Sequence, residues 1–320
     1  MPALGQECAP DSAVSGGTAD AMAEETRAWE KLTGSGAALA TDAASVALLR
    51  ADQARVFYNR FPASERVREA RKLEAICLIN AVVEGKAGEE ERMRRTVAAF
   101  RADGAIPGWD RAVVAGTYEF NEARTRIKSA EDMAREFEAV ARGLMREFPD
   151  QPQGYTSLLT QAMMREPGEG RRMIQEVLDA PAPEEPRLRA RRLATRLDLI
   201  GEPLMNHLDG FSAGGRPSVI YFWSAASPDS LALAARLAPL DAAKVNLIGI
   251  CIDADPVAAA RAATGLPGRL LYPAETKQGD QLDRIGADEA PALYLVDAAG
   301  NVTDVRGLTN LDEKLGSLGL

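Results

Sequence analysis

Residues 218–230 read Ser218-Val-Ile-Tyr-Phe-Trp-Ser-Ala-Ala-Ser-Pro-Asp-Ser230, and they predict a buried strand, a short loop and the start of a helix. Val219-Ile-Tyr-Phe222 is a near-continuous apolar run, which is typical of a central strand covered on both faces. Ser227 suits the N-cap because its hydroxyl can accept a hydrogen bond from an amide two or three residues later. Pro228 suits the first helical position, and Asp229 favours the positive end of the helix. A helix N-terminus at a sheet edge is also a place where an anionic nucleophile is stabilised.

Strand-like and helix-like runs alternate from Pro203 to the end of the chain. This alternation predicts an α/β domain in which a partly parallel sheet carries helices on both faces. The predicted strands are 218–223, 245–252, 269–272 and 292–296, and the predicted helices are 228–237, 256–264, 279–285 and 311–318.

The chain before Pro203 has a different pattern. From Thr41 to Leu199 apolar residues recur at helical spacing between Pro and Gly breaks, which predicts an all-α domain, either a bundle or an array of helix pairs. The predicted buried faces consist of Val46, Leu49 and Val56 in one helix, and of Leu73, Ile76, Cys77, Asn80 and Val83 in the next. Residues 1–40, rich in Ala, Gly, Ser and Thr, predict a mobile arm with a short helix near 21–32. The predicted organisation is therefore an arm over 1–40, a helical domain over 41–202 and an α/β domain over 203–320.

The Phe-Pro pairs at 61–62 and 148–149 each follow a predicted helix. They are similar to the turn between tetratricopeptide-like repeats. Two occurrences do not establish a period, so a true repeat array and a simple helix stop both stay open.

The ordered set of elements after Pro203 resembles the thioredoxin superfamily, specifically its TlpA/ResA-like thiol–disulfide oxidoreductases. Phe222 and Trp223 match the family's Phe-Trp-Ala-x-Trp-Cys-x-x-Cys segment. Residues 246–253 look like its second core strand, and Ala290-Pro291 looks like its cis-proline turn. The resemblance covers 203–320 and implies a central mixed sheet flanked by helices.

The chain departs from this family at the residues that carry its chemistry. Ser227 and Ser230 stand where the two cysteines belong, and Leu233 and Ala235 replace the Glu and Pro that many relatives carry. Dithiol exchange needs a thiolate nucleophile and a resolving thiol, and a serine hydroxyl ionises too weakly to replace either. The sequence therefore predicts no catalytic residue at this site. Loss of the Glu and the Pro favours a naturally inactive site over an introduced serine pair.

We expect a redox-inactive thioredoxin-like protein with a protein-binding, peptide-binding or scaffold role. In this fold the surface beside the first helix and the cis-proline docks extended peptides by backbone pairing, and the helical domain could add a second surface. The expected residual site consists of Trp223, Ala226, Ser227, Pro228, Asp229, Ser230, Ala290 and Pro291. The alternative is a TlpA-like oxidoreductase that uses Cys8, Cys77 or Cys251, and a third possibility is a purely structural spacer.

Composition restricts the partners. The net charge is −9, with both parts of the chain mildly acidic, so the sequence lacks the basic surface that nucleic acid or an anionic membrane requires. His207 is the single histidine, which excludes multi-histidine metal sites. We expect no metal, no cofactor and no transmembrane segment. Relatives of this type are bacterial and usually extracytoplasmic, which implies a soluble periplasmic protein if a signal peptide has been removed, but the sequence fixes neither compartment nor oligomeric state.

Overall fold

The computed structural model describes residues 14–34, 42–253, 255–272, 278–287, 289–306 and 310–318. The chain divides into two compact units, residues 1–140 and residues 141–320. Cys8 lies outside the described residues.

The first unit is helical, as predicted. Its helices are α1 (Val14–Thr33), α2 (Ala43–Arg60), α3 (Val67–Val83), α4 (Glu90–Ala102), α5 (Gly108–Arg126) and the first part of α6 (Ala130–Glu147). Asp42 caps α2, because its carboxylate accepts a hydrogen bond from the amide of Ser45 at 2.8 Å. The core between α2, α3, α4 and α5 contains Ala51, Ala75, Leu78, Ile79, Met93, Val97, Phe100 and Val114.

The buried faces of α2 and α3 differ from the predicted ones. Leu49, Val56, Asn80 and Val83 are exposed. The residues that α2 and α3 bury instead include Ala51, Ala54, Ala70, Ala75, Leu78 and Ile79. Alanine-rich faces let two helices approach closely, and a search for large apolar residues overlooks such faces.

The short helix predicted near 21–32 of the N-terminal arm is longer in the structure. Residues 14–33 form the twenty-residue helix α1. Leu32 is buried in a cluster with Phe57, and the rings of Trp29 and Phe57 lie 5.2 Å apart. Two large side chains near its C-terminal end therefore dock a helix whose composition is otherwise typical of a loose segment.

The second unit combines helices with a five-stranded sheet. After α6 come α7 (Pro152–Met164), α8 (Pro167–Asp179), α9 (Glu184–Asp198), β1 (Ser218–Trp223), α10 (Pro228–Leu237), β2 (Asn246–Cys251), α11 (Pro256–Ala262), β3 (Arg269–Leu271), α12 (Gln278–Arg284), β4 (Ala292–Val296), β5 (Val302–Asp304) and α13 (Leu311–Ser317). The strand order is β3-β2-β1-β4-β5. Strands β1, β2 and β3 are parallel, while β4 pairs antiparallel with β1 and β5 antiparallel with β4. The predicted mixed sheet flanked by helices is confirmed.

Alternate residues of β1 contribute to two different cores. Ile220 and Phe222 belong to the core shared with α7, α8 and α9. Val219, Tyr221 and Trp223 belong to the core shared with α10, α11 and α13. The sheet is therefore covered on both faces, which explains why β1 is apolar at successive positions from Val219 to Trp223.

The predicted boundary at 202/203 does not coincide with the division of the structure, which falls at 140/141. Helices α7, α8 and α9 bury Leu158, Leu159, Ile174, Leu193 and Leu197 in the same core as one face of the sheet. The composition changes at Pro203 because the strands begin there. The hydrophobic core, however, extends back across this point.

Gly249 offers a test of this packing. A Cβ at this position in β2 would lie 2.5 Å from the Tyr221 ring and 2.8 Å from Leu270 Cδ2. The ring has little freedom to move, because the Tyr221 hydroxyl donates to the Pro267 carbonyl at 2.8 Å. We expect Gly249→Ala to lower the free energy of unfolding by about 1–3 kcal/mol in urea denaturation.

Gly143→Ala is the matched control. Gly143 lies inside α6, and nothing approaches within 4 Å of its would-be Cβ. The same substitution there should raise the free energy of unfolding by about 0.5–1 kcal/mol. Equal effects of the two substitutions would contradict the proposed overpacking at Gly249.

Candidate functional site

The site lies where β1 ends and α10 begins. Ser227 is the N-cap of α10, and its Oγ accepts from the amide of Ser230 at 3.3 Å. The same hydroxyl donates to the carbonyl of Ala290 at 3.3 Å. Ser227 thus joins the helix N-terminus to the residue before Pro291, and both of its hydrogen-bonding roles are structural.

Ser230 is fully buried. Its Oγ accepts from the amide of Ser224 at 3.1 Å and lies 3.0 Å from the Ser224 carbonyl and 2.8 Å from the Ser227 carbonyl. A hydroxyl has one proton, so the two carbonyls share one donor. The oxygen is closed off from solvent and engaged on all sides, which leaves it unsuited to attack a substrate.

Asp253 holds the loop from the neighbouring strand. This residue follows β2, and its Oδ2 accepts from the amide of Ala225 at 2.7 Å. Its Oδ1 accepts from the hydroxyl of Ser224, whose oxygen in turn accepts from the amide of Ala226 at 3.1 Å. Sequence reasoning missed Ser224. Its position could have indicated this contact. Ser224 directly follows β1 and Asp253 follows the parallel strand β2, so the two side chains come from the same edge of the sheet.

The opposite wall of the site is the Ala290-Pro291 turn, whose peptide bond is cis. Ala226 and Pro228 are exposed, while Ser227, Ala290 and Pro291 are half-buried. The amide of Ala290 makes no hydrogen bond to any residue that the structure describes. These residues border a surface that includes a backbone donor without an acceptor in the described part of the chain.

Two of the expected border residues do not reach this surface. Trp223 and Ser230 each have no exposed area, because the β1 strand alternation and the first turn of α10 direct them inward. The Trp223 ring instead meets Tyr272 edge-on at 6.1 Å. Asp229 is exposed in the first turn of α10.

The described cysteines lack the features of redox thiols. Cys251 is buried at the end of β2, and this burial raises the pKa of its thiol to about 11. The Asp253 carboxylate, 3.8 Å from the sulfur, also disfavours a thiolate. Burial likewise raises the pKa of Cys77. Nucleophilic thiols require the reverse shift, towards a low pKa.

Helix α9 braces the segment before the cis-proline. Arg196 is only 3% exposed, and its Nε and Nη2 donate to the carbonyl of Gly286 at 3.2 and 2.9 Å. Its Nη1 donates to Glu289 at 3.1 Å, and its guanidinium carbon lies 5.9 Å from the centre of the Tyr294 ring. The loop is therefore fixed by a cation that belongs to the helical part of the chain.

No cluster of three or more His, Cys, Asp or Glu side chains suited to a metal ion occurs among the described residues. Within the same residues, no helix is long and apolar enough to cross a membrane.

The chain is similar to several solved structures. No family model and no curated protein matches the chain. A secreted Mycobacterium tuberculosis disulfide oxidoreductase homologous to E. coli DsbE is 28% identical, with a TM-score of 0.29, over 33% of this chain and 83% of its own. DsbF of the same organism is 25% identical over 36% and 83%, also with a TM-score of 0.29. The thioredoxin domain of a Bacteroides vulgatus thiol–disulfide oxidoreductase is 14% identical over 33% and 80%, again with a TM-score of 0.29.

The brace on the cis-proline loop can be tested with Arg196→Met. This variant leaves the Gly286 carbonyl without its buried donor, so we expect a loss of about 1–3 kcal/mol in the free energy of unfolding. The control is Arg189→Met on the same helix. Arg189 also pairs with Glu289, at 3.4 Å, but it is more exposed and should cost about 0–1 kcal/mol. Equal losses in urea denaturation would show that the Gly286 contact contributes nothing.

Two features now agree with the resemblance in the sequence: the mixed sheet flanked by helices and the helix that begins after β1. The α/β part of this chain has a thioredoxin-like fold, with Ser227 and Ser230 in the turn that starts the helix after β1.

Proposed function

We propose that this protein binds extended polypeptide segments at the surface formed by Ala226, Ser227, Pro228 and the Ala290-Pro291 turn, and that it performs no dithiol exchange there. We call this surface the residual groove. The helical domain offers additional area for protein contacts. The protein would thus act as a binding or scaffold component.

The engagement of both serine hydroxyls is the observation that carries this proposal. Ser227 caps α10 and bonds to Ala290, and Ser230 is enclosed by backbone groups. Neither oxygen has a neighbouring base in these contacts, and neither can form a disulfide with a substrate. The chemistry of the family has no reactive atom at this position.

Binding is supported by the backbone around the residual groove. An extended peptide adds to a protein through main-chain hydrogen bonds, and side-chain pockets then supply specificity. The amide of Ala290 is a donor without an internal acceptor among the described residues. Exposed Ala226 and Pro228 leave the approach to that donor open.

The first test addresses the enzymatic alternative. We expect no reduction of insulin by dithiothreitol above the uncatalysed rate when the wild-type protein is added. Cys77→Ser and Cys251→Ser should leave this result unchanged. Turnover by the wild type that disappears in either variant would overturn the redox-inactive assignment and establish a non-standard cysteine as the nucleophile.

Thiol labelling gives a second readout of the same point. Burial raises the pKa of the Cys251 thiol to about 11 from its ordinary value of 9.0. A thiol whose pKa is raised in the folded state stays neutral at pH 8, so native Cys251 should react with iodoacetamide far more slowly than Cys251 of the unfolded chain.

The free energy of unfolding should fall as the pH rises from about 9 towards about 11, because the thiol then ionises in the unfolded state but not yet in the folded state. Comparing wild type with Cys251→Ser by mass spectrometry and by urea denaturation isolates this group, and rapid native labelling at pH 8 would contradict the burial argument.

Peptide binding can be tested with reduced, carboxymethylated lactalbumin as an unfolded probe. We expect wild-type protein to bind it in surface plasmon resonance, and Ala226→Arg to weaken binding at least tenfold by placing a long cation over the residual groove. Ala238→Arg is the control, because Ala238 is exposed at the other end of α10. Absence of binding by the wild type, or equal weakening by both variants, would refute the proposed groove.

A further inference from the structure

The first unit contains a second candidate site, distant in sequence from the residual groove. A cavity of about 360 Å³ lies among α2, α3 and α4. Its polar lining consists of Arg55, Tyr58, Arg71, Glu74, Arg92 and Arg95, with Thr96, and Phe100 contributes an apolar wall. We call this space the arginine cavity. Its volume falls in the range of pockets that hold small molecules.

The lining charges are unbalanced. Four arginines and one carboxylate line the cavity, in a chain whose net charge is −9. One of the four, Arg92, also pairs with Asp52 at 2.7 Å and with Glu89 at 3.5 Å, so the excess comes from Arg55, Arg71 and Arg95. The cavity beside α13 in the second unit differs, because it has two cations, Arg306 and Lys314, and three acidic residues. The lining of the arginine cavity therefore has a larger positive excess than the lining of the cavity beside α13.

Both oxygens of the Glu74 carboxylate already accept hydrogen bonds within the protein. Glu74 is buried, its Oε2 accepts from the Tyr58 hydroxyl at 2.6 Å and its Oε1 from Arg92 at 3.1 Å. Burial, and next the hydrogen bond to Glu74, raise the pKa of Tyr58 to about 12, so the phenol remains a neutral donor. Glu74 thus organises one wall of the cavity without neutralising the remaining arginines.

Guanidinium donors remain available around the cavity. Arg55 makes no hydrogen bond or ion pair with any described residue. Within the described ranges, Arg95 pairs with Glu91 alone, at 3.7 Å, and Glu91 is itself largely exposed. Arg71 uses one terminal nitrogen on Asp103 at 2.8 Å. Like charges around one cavity repel, and an oxyanion between them would relieve this repulsion.

We propose that the arginine cavity binds a small ligand that carries a phosphoryl group. The planar fork of arginine donates two parallel hydrogen bonds to a phosphate, and several such forks can surround its oxygens. The Tyr58 and Phe100 rings provide a wall for the rest of the molecule. The inference is independent of the residual groove, since all lining residues belong to the first unit.

The test uses inorganic phosphate as the probe in isothermal titration calorimetry with the full chain. We expect saturable binding that weakens as sodium chloride is raised. The double variant Arg55→Gln/Arg95→Gln should weaken binding at least tenfold. Both side chains are exposed, so the fold should be retained.

The matched control is Arg94→Gln/Arg124→Gln, which removes the same total charge from exposed positions that do not line the cavity. It should change phosphate affinity less than twofold. Vesicles containing phosphatidic acid form the second arm. No saturable phosphate binding, equal weakening by the two double variants, or binding to vesicles but not to phosphate would each overturn the proposal.

Discussion

The hydrogen bonds of the buried Arg196 guanidinium hold the loop before Pro291, and the site in the second unit depends on them. A cation removed from water is tolerated only when its donors meet acceptors, and here they meet the Gly286 carbonyl and Glu289. Gly286 has φ of +63°, and a Cβ there would lie 2.4 Å from the Arg192 carbonyl. The absence of a side chain at Gly286 thus allows the loop to approach α9. Once that loop is held, Ala290 is placed for its bond to Ser227, so a helix outside the α/β pattern determines one wall of the residual groove.

The loop after β1 is built around hydroxyl chemistry. Serine oxygens donate and accept strong hydrogen bonds, whereas a thiol is a weak donor and a weak acceptor. Ser224 links Asp253 to the amide of Ala226, and Ser230 links the two ends of the loop. These bonds hold the backbone of the loop without any disulfide. The loop is therefore well supported with serines at positions 227 and 230.

The sequence predicted the α/β elements well because their signals are local. Continuous apolar runs predicted β1 and β4 to the residue, and Ser227 followed by Pro228 predicted the start of α10. Packing across long sequence separations was not predictable in the same way. Nothing in the composition of α9 indicates that Arg196 is buried, because its partner Gly286 lies 90 residues away.

The site was predicted only in part for the same reason. Positions in the loop could be assigned by order along the chain, but the inward direction of Trp223 follows from strand alternation, and that of Ser230 from the first helical turn. Likewise, the alanine faces of α2 and α3 carry no large residue to mark them. A helix face made of alanine therefore packs closely against a neighbouring helix but is not marked by the large apolar residues on which the prediction relied.

Net charge describes the whole chain, but recognition depends on the charges within a short distance of a ligand. At physiological ionic strength, screening limits the reach of exposed charges to about 8 Å. The acidic total of −9 therefore argues against an extended basic surface and has little effect on four arginines around one small cavity. The same argument distinguishes long polyanions from small anionic ligands. A long polyanion needs a continuous basic stripe, which this composition does not supply, whereas a single phosphoryl group needs only the few guanidinium donors that α2, α3 and α4 bring together.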